Sequence, residues 1–404
     1  MRQQQQQQQY PACRRAWALQ QHVIPAERAT NARQLCPFSI TPNMTQGINQ
    51  VVSSAVLVQP YNNGTVVLTL NRPSALNALN LESIKELGAA VQHFVENPHK
   101  KVLVLEGQGG RAFCAGGDIR LLAEAAAKGD EQYPHQFFSL EYKLDCQIHE
   151  LRKPCVALLD GITMGGGVGL SVGAPFRIAT EAFLFAMPET GIGFFPDVGG
   201  GYFLSRLGRH VGVYLALTGA RLKAADALLI GLVTHFVPKS KVSQLKECLQ
   251  TTDWSTSSVE SVLDRFATQP DGVSELSSHL PAIERCFSQP TVEHILKKLE
   301  EENTEWARLV QATITKKSPT SLKVTLKAVQ LGKSQNIREA FASDLRVAMS
   351  FMKTKDFVEG VRAVIVDKDN KPRWHPAALS EVSATYVDAF FASFSDPQLE
   401  LWSS

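Results

Sequence analysis

Two carboxylates, Glu189 and Asp197, stand inside the apolar, glycine-rich stretch FAMPETGIGFFPDVGGG at residues 185–201. No other acid occurs between Glu181 and Asp226. An unpaired buried carboxylate is costly, so a passage of this composition ordinarily excludes Asp and Glu. Phe185, Phe194 and Phe195 would strip water from a carboxyl, raise its pKa and suit it to proton transfer near neutral pH. Asp197 has a second reading, because it precedes Gly199-Gly200-Gly201 and could cap a following helix. No helix start is evident directly after Met187-Pro188-Glu189, so the local sequence favours Glu189 as the reactive acid.

Three other features bear on chemistry. In Phe113-Cys-Ala-Gly-Gly-Asp118, adjacent glycines let the backbone approach a ligand closely, or the stretch is an ordinary turn capped by Asp118. In Gly161-Ile-Thr-Met-Gly-Gly-Gly-Val-Gly169, successive glycines place free amides at a helix N-terminus, a geometry for an oxyanion or a phosphate. The alternative there is tight helix–strand packing. The same region contains Gly169-Leu-Ser-Val-Gly173, a G-x-S-x-G match. A nucleophile elbow needs its serine on the turn, whereas Ser171 falls beyond it, in the helix. Glu141 shares a helical face with Phe137, Leu144, Ile148 and Leu151, so it is either satisfied by a hydrogen bond or functional.

The elements that must position these residues follow from periodicity. Residues 56–58 and 65–70 read as strands joined by the turn Asn62-Asn63-Gly64. Leu81, Ile84, Leu87, Val91 and Val95 recur near a 3.6-residue period and predict a helix, which Asn97-Pro98 ends. Short apolar runs at 102–105, 155–159, 176–179 and 183–186 read as buried strands. Gly- or Pro-rich turns follow them, at 107–118, 161–169 and 188–201. Ligand sites in α/β proteins gather where strands end and helices begin, so the three turns are expected to share one site. Beyond Pro238 the pattern turns helical, at 292–309, 321–329 and 337–351. No repeat of fixed period is evident.

Totals bound the answer. A chain of 404 residues, 44% hydrophobic and 20% charged, can bury a large core. A net charge of +2 points to neither nucleic acid nor a membrane surface as partner, and no apolar run is long enough to span a bilayer. The seven scattered cysteines form no CxxC pair and no zinc-type spacing, as expected of reduced thiols. Residues 1–45 carry a glutamine run, five arginines, no lysine and one acid, Glu27, the pattern of a mitochondrial transit peptide.

Taken together, FCAGGDIR, GITMGGGVGLS, FAMPETGIGFFPDVGGGYFL, LALTGARLK, KKSPTSLKVTL and DFVEGVRAVIVDKDNKPRW resemble the crotonase (enoyl-CoA hydratase/isomerase) superfamily, and within it the 3-hydroxyisobutyryl-CoA hydrolase branch. The likeness runs from about Ala55 to Trp374. It implies an α/β, crotonase-like spiral of ββα units over residues 50–238, with a helical C-terminal region over 239–404. It implies an oxyanion hole made by the N–H groups of Gly117 and Gly166, catalytic Glu189 and Asp197, and substrate contacts from Glu141, Gly166, Glu189 and Asp197. The partner implied is an acyl-CoA, with CoA as part of the substrate and no separate cofactor or metal, in the mitochondrial matrix. The resemblance also allows a homo-oligomer. Hydratases of this fold use two glutamates; one matches Glu189, but the other's position is Gly169 here, and Asp197 stands where hydratases usually have glycine. Thioester hydrolysis is therefore favoured over hydration, over a non-catalytic scaffold and over a serine hydrolase.

Overall fold

The computed structural model describes residues 54–392; the expected transit peptide lies outside them. A hairpin opens the described chain. β1 (Val56–Pro60) pairs antiparallel with β2 (Thr65–Leu70), from Val56 opposite Leu70 to Pro60 opposite Val66. The expected turn joins them, and Asn63 Oδ1 closes it by accepting from the Thr65 N–H at 3.0 Å. Helix α1 (Leu81–Glu96) starts on a capping box between Asn80 and Ser83. Its core face carries Ile84, Leu87, Val91 and Phe94. Val95, expected inside, is exposed, because the true period brings its neighbour Phe94 inward.

The remaining strands alternate between two sheets. β3 (Val102–Gly107) is followed by β4 (Ala112–Cys114), then by helices α2 (Ile119–Ala127) and α3 (Gln132–His149). β5 (Cys155–Leu159) is followed by β6 (Ile162–Met164) and α4 (Gly166–Val172). β7 (Phe176–Ala179) is followed by β8 (Leu184–Ala186). Helices α5 (Gly200–Ser205), α6 (Val211–Thr218) and α7 (Ala224–Leu229) then lead to β9 (His235–Phe236). The large sheet has the order β1-β2-β3-β5-β7-β9 and is parallel from β2 onward; the small one is a parallel β4-β6-β8. This is the ββα spiral. The apolar runs read from sequence as one series thus belong to two sheets, and β4 and β6 escaped notice because they lie inside the stretches 107–118 and 161–169 that read as glycine-rich turns.

Side chains from successive positions of the large sheet enter different cores. Val102, Val104, Val156 and Leu158 face outward under α8 (Lys239–Thr251) and α9 (Val259–Asp264). Leu103, Leu105 and Ala157 face the main core. The strands read as continuous apolar runs because both faces are covered.

From Lys239 the described elements are helical. After α10 (Leu280–Phe287) come α11 (Val292–Glu302) and α12 (Glu305–Ile314), read from sequence as one helix. Asn303 breaks them with a left-handed φ of 48°, and Thr304 caps the second. α13 (Pro319–Gly332), α14 (Ile337–Phe351) and α15 (Lys355–Val361) follow, with α16 (Ala384–Ala389) the last described helix. α13, α14 and α15 pack against α5, α3 and α2 respectively, which brings the C-terminal region to the three glycine-rich turns. No described helix is long and apolar enough to cross a membrane.

Candidate active site

The three turns do meet. After β4, Leu79 donates to the Gly116 carbonyl at 2.8 Å and accepts from Asp118 N–H at 2.7 Å, which leaves the Gly117 N–H outside the bridge. Asp118 does not cap α2 with its side chain; it pairs with Arg72 at 3.4 Å. After β6, Gly165 takes φ 47°, ψ −123°, and Gly166 opens α4. Among the described residues neither the Gly117 nor the Gly166 N–H has a hydrogen-bond partner. After β8, the 3-10 turn Glu189–Ile192 begins on Glu189, so a short helical start does exist after Met-Pro. Its Oε1 lies 3.1 Å from where a Cβ on Gly165 would stand. The Glu141 carboxyl, delivered by α3, fills the space a side chain at Gly166 would need. Gly117, Gly166, Glu141, Glu189 and Asp197 line one cavity of ≈ 90 Å³, room for a few waters or a short acyl group.

The cavity is apolar apart from these groups. Phe194 forms its inner wall, stacked on Phe138 and packed against Phe195, Phe351 and Phe357 at ring-centroid distances of 4.9–5.7 Å. Burial therefore pushes the Glu189 pKa well above the usual carboxylate range, the Asp197 charge adds to this, and Lys317 pulls the other way. Glu141 is also raised, by burial first and by Asp197 second. Burial lifts Asp197 to about 7, although the Tyr142 hydroxyl donates to its Oδ2 at 2.6 Å and favours the ionised form. Glu141 Oε1 and Glu189 Oε2 are buried with no partner among the described residues. Such an arrangement offers two donors for a developing oxyanion, and a carboxyl that titrates in the range useful for proton transfer.

Every residue proposed for the site from sequence lies here. The capping role for Asp197 does not hold: Gly199 is the N-cap of α5, no side chain caps that helix, and the Gly199 N–H is held by Asp344 Oδ2 at 2.7 Å. Ser171 is buried within α4 with its hydroxyl donating to the Gly167 carbonyl at 2.8 Å, so it is no exposed nucleophile.

Tyr142, Asp145 and Asp344 were missed. Asp145 follows Glu141 by four residues and Asp344 shares a helical face with Phe341, Leu345 and Ala348, the same signal that singled out Glu141. Both Asp145 oxygens are buried without a partner among the described residues, and Asp145 occupies the space a side chain at Gly169 would need.

Two outcomes follow. Gly166→Ala must displace Glu141 or tilt the first turn of α4; kcat is expected to fall roughly 10²-fold, the scale of a lost oxyanion donor, in a protein with unchanged circular dichroism. Burial, then Glu141, Asp197 and Asp344, raise the Asp145 pKa well above its usual range. The folded chain therefore keeps a proton that the unfolded chain releases above about pH 4, and stability drains as pH rises through that window. Asp145→Asn removes this drain, so its melting-temperature gain over wild type should grow as the pH rises above about 4. A gain independent of pH would contradict the assignment.

Known proteins similar to this chain fall in one family. A family model described as enoyl-CoA hydratase/isomerase matches residues 65–391. The chain is 41% identical over 377 residues to the mitochondrial 3-hydroxyisobutyryl-CoA hydrolase of Gallus gallus, covering 91% of this chain and 98% of that one. It is 44% identical over 341 residues to the Homo sapiens protein of the same name, covering 83% and 88%. The crystal structure of a carnitinyl-CoA dehydratase from Mycobacterium thermoresistibile superposes with a TM-score of 0.80 at 35% identity, covering 85% of this chain and 98% of that one. The chain belongs to the enoyl-CoA hydratase/isomerase (crotonase) family, in the branch of the 3-hydroxyisobutyryl-CoA hydrolases.

Proposed function

We propose that this chain hydrolyses the thioester of 3-hydroxyisobutyryl-CoA, and of 3-hydroxypropionyl-CoA, to the free 3-hydroxy acid and CoA, as a step of valine breakdown in the mitochondrial matrix. The observation that carries the reading is the meeting of two unpartnered glycine N–H groups with Glu189 and Asp197 in one small cavity. The thioester carbonyl oxygen sits between the Gly117 and Gly166 amides, which strengthen their hold as the tetrahedral oxyanion forms. Glu189 either deprotonates a water whose oxygen attacks the carbonyl, or attacks the carbonyl itself to give a mixed anhydride that a water then hydrolyses to the free acid. Asp197, titrating near neutrality, hands a proton to the departing sulfur, and Glu141 contacts the 3-hydroxyl.

The family also contains hydratases, and the solved carnitinyl-CoA dehydratase is similar to this chain. Space argues against that activity here. A second acid at position 169 would overlap the Asp145 carboxyl, and its Cβ would lie 2.7 Å from that of Val198. A non-catalytic role is disfavoured because all of Glu141, Glu189 and Asp197 remain buried at the cavity without collapsing onto the glycine amides.

Thiol release from 3-hydroxyisobutyryl-CoA tests the reading. Glu189→Gln is expected to lose about 10²–10⁴-fold in kcat, and Asp197→Asn on the order of 10²-fold. Ser171→Ala should keep kcat unchanged, and crotonyl-CoA should show no hydration by absorbance. Full activity in Glu189→Gln would sink the proposal.

A further inference from the structure

Asp197 owes its place to a backbone that is hard to hold. Val198, directly after it, has φ 52°, and Gly199 has φ 78°. Two consecutive left-handed residues are uncommon, and for a β-branched side chain that region is a true outlier. Val198 cannot relax toward solvent, being 1% exposed with its side chain against Gly169. Within the turn, the Gly200 N–H donates to the Asp197 carbonyl at 2.8 Å. The other tie comes from far along the chain: Asp344, 4% exposed on α14, accepts the Gly199 N–H at 2.7 Å.

Phe341 lies one turn earlier on α14. Its ring is 3.4 Å from where a Cβ on Gly199 would stand, and it meets the Tyr142 ring at a centroid distance of 6.0 Å. Tyr142 is the residue whose hydroxyl grips the Asp197 carboxyl. One face of α14 thus braces both anchors of Asp197, the backbone turn and the tyrosine.

We propose that Asp344 is a positioning residue for the reaction: its carboxyl oxygen holds the strained Val198-Gly199 turn and so fixes the Asp197 side chain in the cavity. Asp344 is not among the described residues that line the cavity. What the position requires is a hydrogen-bond acceptor at that place, and a negative charge is not needed. The proposal rests on the thioesterase reading.

The test compares full-length wild type with Asp344→Leu, which keeps the branched shape and loses the acceptor, and Asp344→Asn, which keeps an acceptor and loses the charge. Thermal melting and steady-state thiol release from 3-hydroxyisobutyryl-CoA are measured for each. The expected result is a drop in kcat of roughly tenfold or more in Asp344→Leu per mole of folded enzyme, with KM little changed, and recovery of most of kcat in Asp344→Asn. Should Asp344→Leu not be recovered folded, Asp344→Ser, whose hydroxyl falls short of the Gly199 N–H, carries the same expectation. A loss of melting temperature with unaltered kcat in folded enzyme would overturn the proposal, as would an Asn variant as impaired as the Leu variant. Absence of thiol release in wild type would instead overturn the thioesterase reading itself.

Discussion

The site depends on keeping complementary polar groups apart. Two backbone N–H donors and three carboxyls line the same cavity, yet the Gly117 and Gly166 amides make no bond to Glu141 or Glu189. Unmet donors and acceptors in a dry space each carry a desolvation cost of about 1–3 kcal/mol, so a softer structure would let them collapse together. Here rigid neighbours prevent it. Gly166 is fixed at the first turn of α4 and Glu141 in the middle of α3, with the Glu141 carboxyl seated where a side chain at Gly166 would stand. A site built in this way meets a substrate oxygen without first breaking bonds of its own.

That rigidity has its source in the C-terminal helices. The stretch 185–201 is tied along its length: Thr190 accepts from the Ser318 N–H at 3.2 Å, Phe194 packs on Phe351 and Phe357, and Gly199 is held by Asp344. Further along, Gly201 on α5 and Gly332 on α13 bring two helix backbones into direct contact. The helical third of the chain is therefore a wall of the cavity as well as a covering for the sheets. The same wall excludes water, and the exclusion of water is what raises the carboxyl pKa values.

Much of this was legible beforehand. The carboxylates within an apolar passage, the three glycine-rich turns and the buried face of α3 are local patterns, and each led to residues that line the cavity. What stayed hidden was set by distance along the chain. Nothing near Asp197 announces that Tyr142 and, through the backbone, Asp344 hold it, since those bonds span 55 residues and 145 residues. The division of the strands between two sheets was equally unreadable, because β4 and β6 lie within glycine-rich stretches that read as turns and their pairing is decided by tertiary contact. Local reasoning also gave Asp197 a cap's role that its neighbours leave unfilled.

The separation of hydrolysis from hydration comes down to space and charge around Asp145. Its buried carboxyl and the Val198 side chain fill the position beside Gly169, which leaves no room for a second glutamate there, while Glu189 and Asp197 reach the cavity from one and the same turn. Everything then hinges on whether the two glycine amides polarise a bound carbonyl. Isotope-edited infrared difference spectroscopy of 3-hydroxyisobutyryl-CoA, ¹³C-labelled at the thioester carbonyl and bound to the Glu189→Gln protein, in which turnover is expected to be slow, reads this directly. The account predicts that the carbonyl stretch moves to lower frequency than in water, and moves back when Gly166→Ala is added. A stretch unchanged from the free thioester would contradict it.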